Sequence, residues 1–207
     1  QDIFQIVIEC APHCDSINTT AAFQRLAKLL EGRASPERRQ ALESPVFSLL
    51  VQLMTEQCAR GSFNPQSTAN AWWAVSKLFG QGGGGRPSAS IELGSCGGLL
   101  HEGSSRAPSA LHAALQRLLE ALEGALASCL TSRASEESKN QHGQPSSAAS
   151  KHPPHQRPNA QAISSTWYAW GRLASLRLPS ASVRAALWER SWELAWELDA
   201  QGVANVL

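Results

Sequence analysis

The sequence predicts an all-α protein, an α-solenoid of stacked helix-turn-helix repeats about 40 residues long. Apolar residues recur at spacings of three and four, most clearly in Leu111, Leu115, Leu118, Leu119, Leu122 and Leu126. No stretch alternates with a period of two for long enough to predict a β-strand. A motif also recurs along the 207-residue chain, and such recurrence is the sequence signature of a repeat architecture.

The repeated motif is clearest when PQSTANAWWAVSKL (65–78) is placed above AQAISSTWYAWGRL (160–173) without a gap. A further copy, AQGVANVL, occupies 200–207, and a more divergent one, SINTTAAFQRLAKL, occupies 16–29. Gln161 and Gln201 are 40 residues apart, which gives the undisturbed period. The other copies are further apart because insertions lengthen their loops, and long loops cost a repeat array little.

A second helix is predicted after each motif, because a proline stands near each expected start, where it costs least: Pro45, Pro108 and Pro179. We expect these helices at about 44–60, 108–132 and 180–198, and a short charged loop near 32–40. One helix pair cannot bury its apolar faces alone, so successive pairs have to stack.

We expect a single helical-repeat array over residues 1–207. Its parts are a trailing helix at 2–11, repeat 1 at 16–60, repeat 2 at 65–132 with an insertion at 80–107, repeat 3 at 159–198 and the start of repeat 4 at 199–207. Residues 133–158, rich in Ser, Gln, His and Pro, are expected to be a disordered insertion. Because the chain begins with Gln1 and stops inside a predicted helix, we expect it to be a segment of a longer protein.

Composition limits the classes of function. The net charge of +1 argues against a globally basic nucleic-acid binder, so only local charge could favour RNA. The five cysteines are odd in number and form no CxxC pair, which disfavours both a disulfide framework and a zinc ribbon. No apolar run reaches the ~18 residues of a membrane span, so no membrane span is expected.

The motif at 65–78 resembles the signature of the octotricopeptide repeat, a helical pair of about 38 residues. The residues that carry the resemblance are Pro65, Gln66, Ala69, Asn70, Trp73, Ala74, Lys77 and Leu78. The copy at 160–173 departs at Ala160, Ser164, Ser165 and Tyr168. The resemblance implies repeats of 38–40 residues in an RNA-binding protein of a chloroplast or mitochondrion, acting in RNA stability, processing, splicing or translation. It also leaves open a structural or protein-binding scaffold, such as an organellar ribosome-associated component that contacts rRNA.

Charge on the motif helices gives a second, independent indication of RNA. Their charged side chains are all positive: Arg25, Lys28, Lys77 and Arg172. The second helices are mildly negative, with six glutamates against four arginines: Glu56, Glu120, Glu123, Glu189, Glu193 and Glu197 against Arg60, Arg117, Arg184 and Arg190. Because Lys28, Lys77 and Arg172 occupy equivalent positions, they could form a ladder that follows RNA phosphates. Equally, each stands in the last turn of a helix, where a cation favourably meets the helix dipole.

Sequence-selective binding would need polar side chains shown once per repeat. The column formed by Ala21, Asn70, Ser165 and Asn205 varies in this manner, and Asn and Ser can hydrogen-bond base edges. An asparagine at a fixed repeat position can equally cap a helix or bridge neighbouring helices. For Asn70 and Asn205 we slightly favour this structural role over contact with base edges.

The aromatic residues of the motif admit two interpretations. They could stack on bases, but adjacent residues of a helix diverge by about 100°, so at most one of each pair faces RNA. Packing between repeats is the expected role of most of them: Trp72, Trp73, Trp167, Tyr168 and Trp170. A further stripe, Trp188, Trp192 and Trp196, is expected either to pack on the next repeat or to form a docking surface.

No catalytic or cofactor site is predicted. The GGGG at 82–85 lacks the Lys-Ser/Thr pair of a phosphate-binding loop. Cys10, His13 and Cys14 lie close in sequence, but no fourth metal ligand is visible. We therefore expect no enzyme activity, no cofactor and no metal, and we expect the partners to be RNA and other proteins of an organellar ribonucleoprotein.

Overall fold

The computed structural model describes residues 3–33, 35–80, 110–131 and 157–206, and all regular structure in these ranges is helical. The prediction of an all-α fold is therefore confirmed. The helices are α1 (Ile3–Cys10), α2 (Ser16–Leu30), α3 (Ser35–Leu42), α4 (Pro45–Ala59), α5 (Pro65–Phe79), α6 (Ala110–Thr131), α7 (Ala160–Leu173), α8 (Ala181–Glu193) and α9 (Ala200–Val206). Short 3₁₀ turns occur at Ala11–His13 and Ala195–Glu197.

Two segments differ from the sequence prediction. The charged stretch near 32–40 was expected to be a loop, but it contains helix α3, because Pro36 and Glu37 fall in a first turn where both residue types are favourable. The second helix expected at 180–198 ends early, at Glu193. Leu194 leaves the helical conformation (φ −100°, ψ 9°), and a 3₁₀ turn then leads toward α9. The predicted insertions at 80–107 and 133–158 lie almost entirely in 81–109 and 132–156, outside the described residues.

Helices of like kind pack on one another. The motif-bearing helices form one series of contacts, α2 on α5, α5 on α7 and α7 on α9. The intervening helices form a second series, α1 on α4, α4 on α6 and α6 on α8. Contacts of α2 with α4, α5 with α6 and α7 with α8 join the two series. The central helices α2, α4, α5, α6 and α7 thus have neighbours in both series.

The core is aliphatic with two aromatic groups. Phe47 is fully buried and lies between Phe23 and Phe79, with ring centroids 5.7 and 6.2 Å away. Farther along the chain, Trp72 and Trp170 are buried and meet edge to face at 5.9 Å. Edge-to-face pairs of this kind add stability beyond the buried area. These contacts join helices that are distant in sequence.

The tryptophan stripe, with two members on α8 and the third in the 3₁₀ turn that follows, is exposed. Trp188, Trp192 and Trp196 have 52%, 76% and 97% of their surface accessible. Only Trp188 touches the core aromatics, with its ring centroid 6.3 Å from that of Trp167. In the described part of the chain, no helix covers the remainder of this face, although the sequence pattern is that of a packing surface.

Phe47→Ala should lower the free energy of unfolding by about 3–5 kcal/mol, because it removes a fully buried ring from between two others. Urea denaturation followed by circular dichroism measures the change. Leu178→Ala is the control, because Leu178 is exposed and its truncation should alter stability by less than about 0.5 kcal/mol. Equal effects of the two substitutions would contradict the packing described.

Candidate nucleic-acid interface

Each motif helix begins at an Asp or Asn that caps it. The backbone N–H of Asn18, Ser67, Ala162 and Gly202 donates to the side chain of Asp15, Asn64, Asn159 and Asp199, at 2.8, 2.7, 2.9 and 2.6 Å. Such caps satisfy a free N–H of the first turn and fix where the helix starts. Sequence reasoning missed them, although an Asp or Asn stands two positions before Ile17, Gln66, Gln161 and Gln201 in every copy.

The fixed starts bring equivalent residues to one surface, which we call the motif face. Along α2, α5 and α7, the positions at spacings of four, three and four are exposed or half-buried, whereas most positions between them are buried. In α5 these are Gln66, Asn70, Trp73 and Lys77. Their counterparts are Ile17, Ala21, Gln24 and Lys28 in α2, Gln161, Ser165, Tyr168 and Arg172 in α7, and Gln201 and Asn205 in α9.

Because the motif helices pack in series, each of the four positions forms a row across neighbouring helices. The second row carries Asn70, Ser165 and Asn205, the third carries Trp73 and Tyr168, and the fourth carries Lys28, Lys77 and Arg172. The structure therefore brings together the cations and the polar residues that the sequence singled out, and it adds two aromatic residues between them. Arg25 is also exposed on α2 but lies beside these rows, and it forms no ion pair with any described residue.

The cations of the fourth row contact each other's helices. Lys77 forms an ion pair with Glu31 (Nζ–Oε1 2.8 Å), and the Nζ atoms of Lys28 and Lys77 lie 6.0 and 5.6 Å from the Trp73 ring centre. Arg172 Nε donates to the carbonyl of Ser76 at 3.4 Å, and its guanidinium lies 5.7 Å from the Tyr168 ring. The row is thus continuous in space, and Lys77 and Arg172 also have structural contacts.

Arg38 joins this group from α3. Its Nη2 atom donates to the carbonyls of Lys77, at 3.0 Å, and of Leu78, at the C-terminal end of α5. Burial and the nearby charge of Arg172 lower the pKa of Arg38. Sequence reasoning missed Arg38 because α3 was expected to be a loop. The signal available was the Ser-Pro-Glu start of that helix.

Glu31 is the acid at the centre of the group. The hydrogen bond and charge of Lys77, followed by the charges of Arg172 and Lys28, hold the pKa of Glu31 below its ordinary value despite slight desolvation. We call Lys28, Arg38, Lys77, Arg172 and Glu31 the cation cluster. It carries an excess of three positive charges on a chain whose net charge is +1, so the charge is strongly local.

The polar row has local partners. The side-chain amide of Gln66 donates to Asn70 Oδ1 at 3.1 Å, and Gln201 donates to Asn205 Oδ1 at 3.0 Å. Both contacts stay within one turn of one helix, so neither asparagine bridges two helices through them. The amide nitrogens of both asparagines are left available to a ligand by these contacts. Ser165 takes the place of the asparagine in α7 and is half-buried.

The described residues give little indication of a metal site, a membrane-spanning helix or a reactive cysteine. They contain no group of three or more His, Cys, Asp or Glu able to hold a metal ion, and no helix among them is long and apolar enough to cross a membrane. A groove of about 400 Å³ between α4 and α6 is lined by small residues together with Phe63, Cys58 and Cys129. Burial, with a contribution from Cys129, raises the pKa of Cys58 to about 12, so its thiol is not a nucleophile at neutral pH.

Comparison with known proteins gives no match: no family model, no curated protein and no solved structure is significantly similar to the chain. The octotricopeptide-repeat resemblance therefore stays a prediction based on the motif residues. The functional conclusion has to come from the motif face itself.

Asn64→Ala should lower the free energy of unfolding by about 1 kcal/mol, because it removes the cap of α5. Asn70→Ala should change it by less than about 0.5 kcal/mol, because the Asn70 side chain accepts a hydrogen bond from Gln66 of its own helix and joins no other described helix by a side-chain hydrogen bond. Thermal and urea unfolding measure both. A cost for Asn70→Ala as large as that of the cap variant would assign Asn70 to the structure and not to a ligand.

Proposed function

We propose that this chain is an RNA-binding helical-repeat protein whose two series of helices form the two layers of an α-solenoid. The observation that supports it is the motif face, on which polar, aromatic and cationic residues lie in parallel rows across neighbouring helices. Single-stranded RNA is recognised by these three kinds of contact: hydrogen bonds to base edges, stacking on rings and ion pairs with phosphates.

The rows have the order that a nucleotide strand needs. Lys28 is exposed and, with Lys77 and Arg172, would attract phosphates at the C-terminal ends of the motif helices. Trp73 and Tyr168 are half-buried, so each keeps an accessible surface on which a base could stack. Asn70, Ser165 and Asn205, one turn nearer the helix starts, would then meet base edges. Trp72 is buried, in keeping with one outward aromatic in each adjacent pair.

The class of RNA and its place in the cell rest on the motif resemblance. By that resemblance the ligand is a single-stranded transcript or rRNA of a chloroplast or mitochondrion, and the role lies in RNA stability, processing, splicing or translation. A short array contacts only a few nucleotides, so weak binding is expected from this chain.

A scaffold that binds proteins is the second candidate, and the exposed face of α8 favours it. Trp192 and Trp196 are almost fully accessible, and the neighbouring Glu189 and Glu197 form no ion pair with any described residue. Acidic neighbours disfavour RNA at this face and suit a protein surface. On this alternative the protein would be an organellar ribosome-associated component that touches rRNA through phosphates alone.

The test is the salt dependence of RNA binding. Fluorescence anisotropy with a labelled single-stranded RNA of mixed sequence gives the affinity at several salt concentrations, and the slope of log affinity against log salt is measured. In Lys28→Ala/Lys77→Ala/Arg172→Ala this slope should become shallower by about 2, because each phosphate contact contributes about 0.7. Arg60→Ala/Arg117→Ala/Arg184→Ala removes the same charge from exposed positions on the other helix series and is the matched control.

An unchanged slope in the first triple variant, or equal slopes in the two variants, would reject the motif face as the RNA site. The scaffold would be favoured if the unsubstituted protein bound no RNA but bound a protein partner, and if Trp192→Ala/Trp196→Ala abolished that protein binding. Circular dichroism of each variant establishes that it remains folded.

A further inference from the structure

Glu31 occupies the position on the motif face where a phosphate would bind. Its carboxylate accepts a hydrogen bond from Lys77 at 2.8 Å, and Lys28 and Arg172 are the other cations whose charges act on it. It is the acid of the cation cluster, and the Nζ atom of its partner Lys77 lies 5.6 Å from the Trp73 ring centre, with that of Lys28 at 6.0 Å. An anion already sits where three cations from three motif helices converge.

We propose that Glu31 masks a nucleotide subsite, in which an RNA phosphodiester displaces the Glu31 carboxylate from Lys77. This inference rests on the proposed RNA-binding function and names the position of one nucleotide within it. Glu31 then sets the affinity of the motif face by competing with RNA for the same cations.

The exchange is chemically matched. A carboxylate and a phosphodiester are both singly charged anions with two acceptor oxygens, and an ammonium group binds either as a point charge. Lys77 is anchored, with 19% of its side chain accessible, whereas the Glu31 side chain is 57% accessible. The lysine therefore stays in place and the glutamate moves.

Glu31 is also free to leave without unfolding a helix. It follows the last residue of α2, and its backbone is already extended (φ −66°, ψ 122°). Because the carboxylate of this pair is exposed, breaking its contact with Lys77 costs little structural stability, and its competition with RNA corresponds to the several-fold change in affinity tested below. The backbone N–H of Glu31 donates to the Lys28 carbonyl and holds the helix end. The Glu31 side chain takes no part in this hydrogen bond.

The test compares Glu31→Gln with Glu37→Gln in the otherwise intact chain. Both remove one negative charge, but Glu37 is exposed on α3 and pairs with Arg33 at 3.7 Å, outside the cation cluster. With the labelled single-stranded RNA as probe, Glu31→Gln should bind about three- to tenfold more tightly than the unsubstituted protein, and its salt slope should steepen by about 0.7. Glu37→Gln should differ from the unsubstituted protein by less than about twofold.

A second pair of variants assigns the gain to Lys77. Lys77→Gln alone should weaken RNA binding, and adding Glu31→Gln to it should restore little, because the cation that Glu31 masks is then absent. If Glu31→Gln improves binding equally with and without Lys77, the effect is general electrostatics and the subsite is rejected.

The outcomes separate the inference from the function beneath it. If Glu31→Gln leaves RNA binding unchanged or weakens it, the masked subsite is overturned. The same holds if Glu31→Gln improves binding no more than Glu37→Gln does. In each case the motif face remains an RNA site. Absence of RNA binding by every variant overturns the proposed function, and the subsite with it. Tighter binding that is specific to Glu31→Gln and dependent on Lys77 supports both.

Discussion

Close approach of the motif helices is the constraint on which the rest of the structure depends. Ala69, Ala71 and Ala74 of α5 are buried, as are Ala162 and Ala169 of α7, and these two helices pack directly on each other. Small side chains let two backbones come near, so equivalent positions on successive helices become neighbours. Larger residues would separate the helices and the rows of the motif face with them. The function proposed here depends on that spacing.

The close packing of the motif helices also concentrates positive charge. Motif helices that run side by side end at the same level, and Lys28, Lys77 and Arg172 therefore converge. Three kinds of nearby group reduce the repulsion among these cations. They are the Glu31 carboxylate, the rings of Trp73 and Tyr168, and the carbonyls at the end of α5 that accept from Arg38 and Arg172. The helix-dipole interpretation and the phosphate interpretation of these cations are thus compatible, since a site that stabilises the helix ends also concentrates positive charge.

Much of the fold was accessible from the sequence because periodicity is local. The motif helices run Ser16–Leu30, Pro65–Phe79 and Ala160–Leu173, within two residues of the copies found by alignment. The position of Lys77 beside Arg172 followed from the same repeat. What escaped prediction depends on contacts between distant segments: the role of Arg38, the pairing of Glu31 with Lys77 across 46 residues, and the end of α8 at Glu193. The Asp and Asn caps were local and readable, but they fall just outside the motif as it was aligned.

The uneven burial of the tryptophans has a spectroscopic consequence. Trp72 and Trp170 lie in a dry core and should emit at short wavelength, whereas Trp192 and Trp196 meet water and should emit at long wavelength. Acrylamide would quench Trp192 and Trp196, together with the exposed Trp188, more than the buried pair, and any molecule that covers the end of α8 would protect them. Trp73 is half-buried and lies on the motif helices, which form the other series. A nucleic acid on the motif face would therefore quench Trp73, whereas a protein on the α8 face would protect Trp192 and Trp196, and fluorescence would distinguish the two events. The protein thus carries intrinsic reporters for each of the two surfaces.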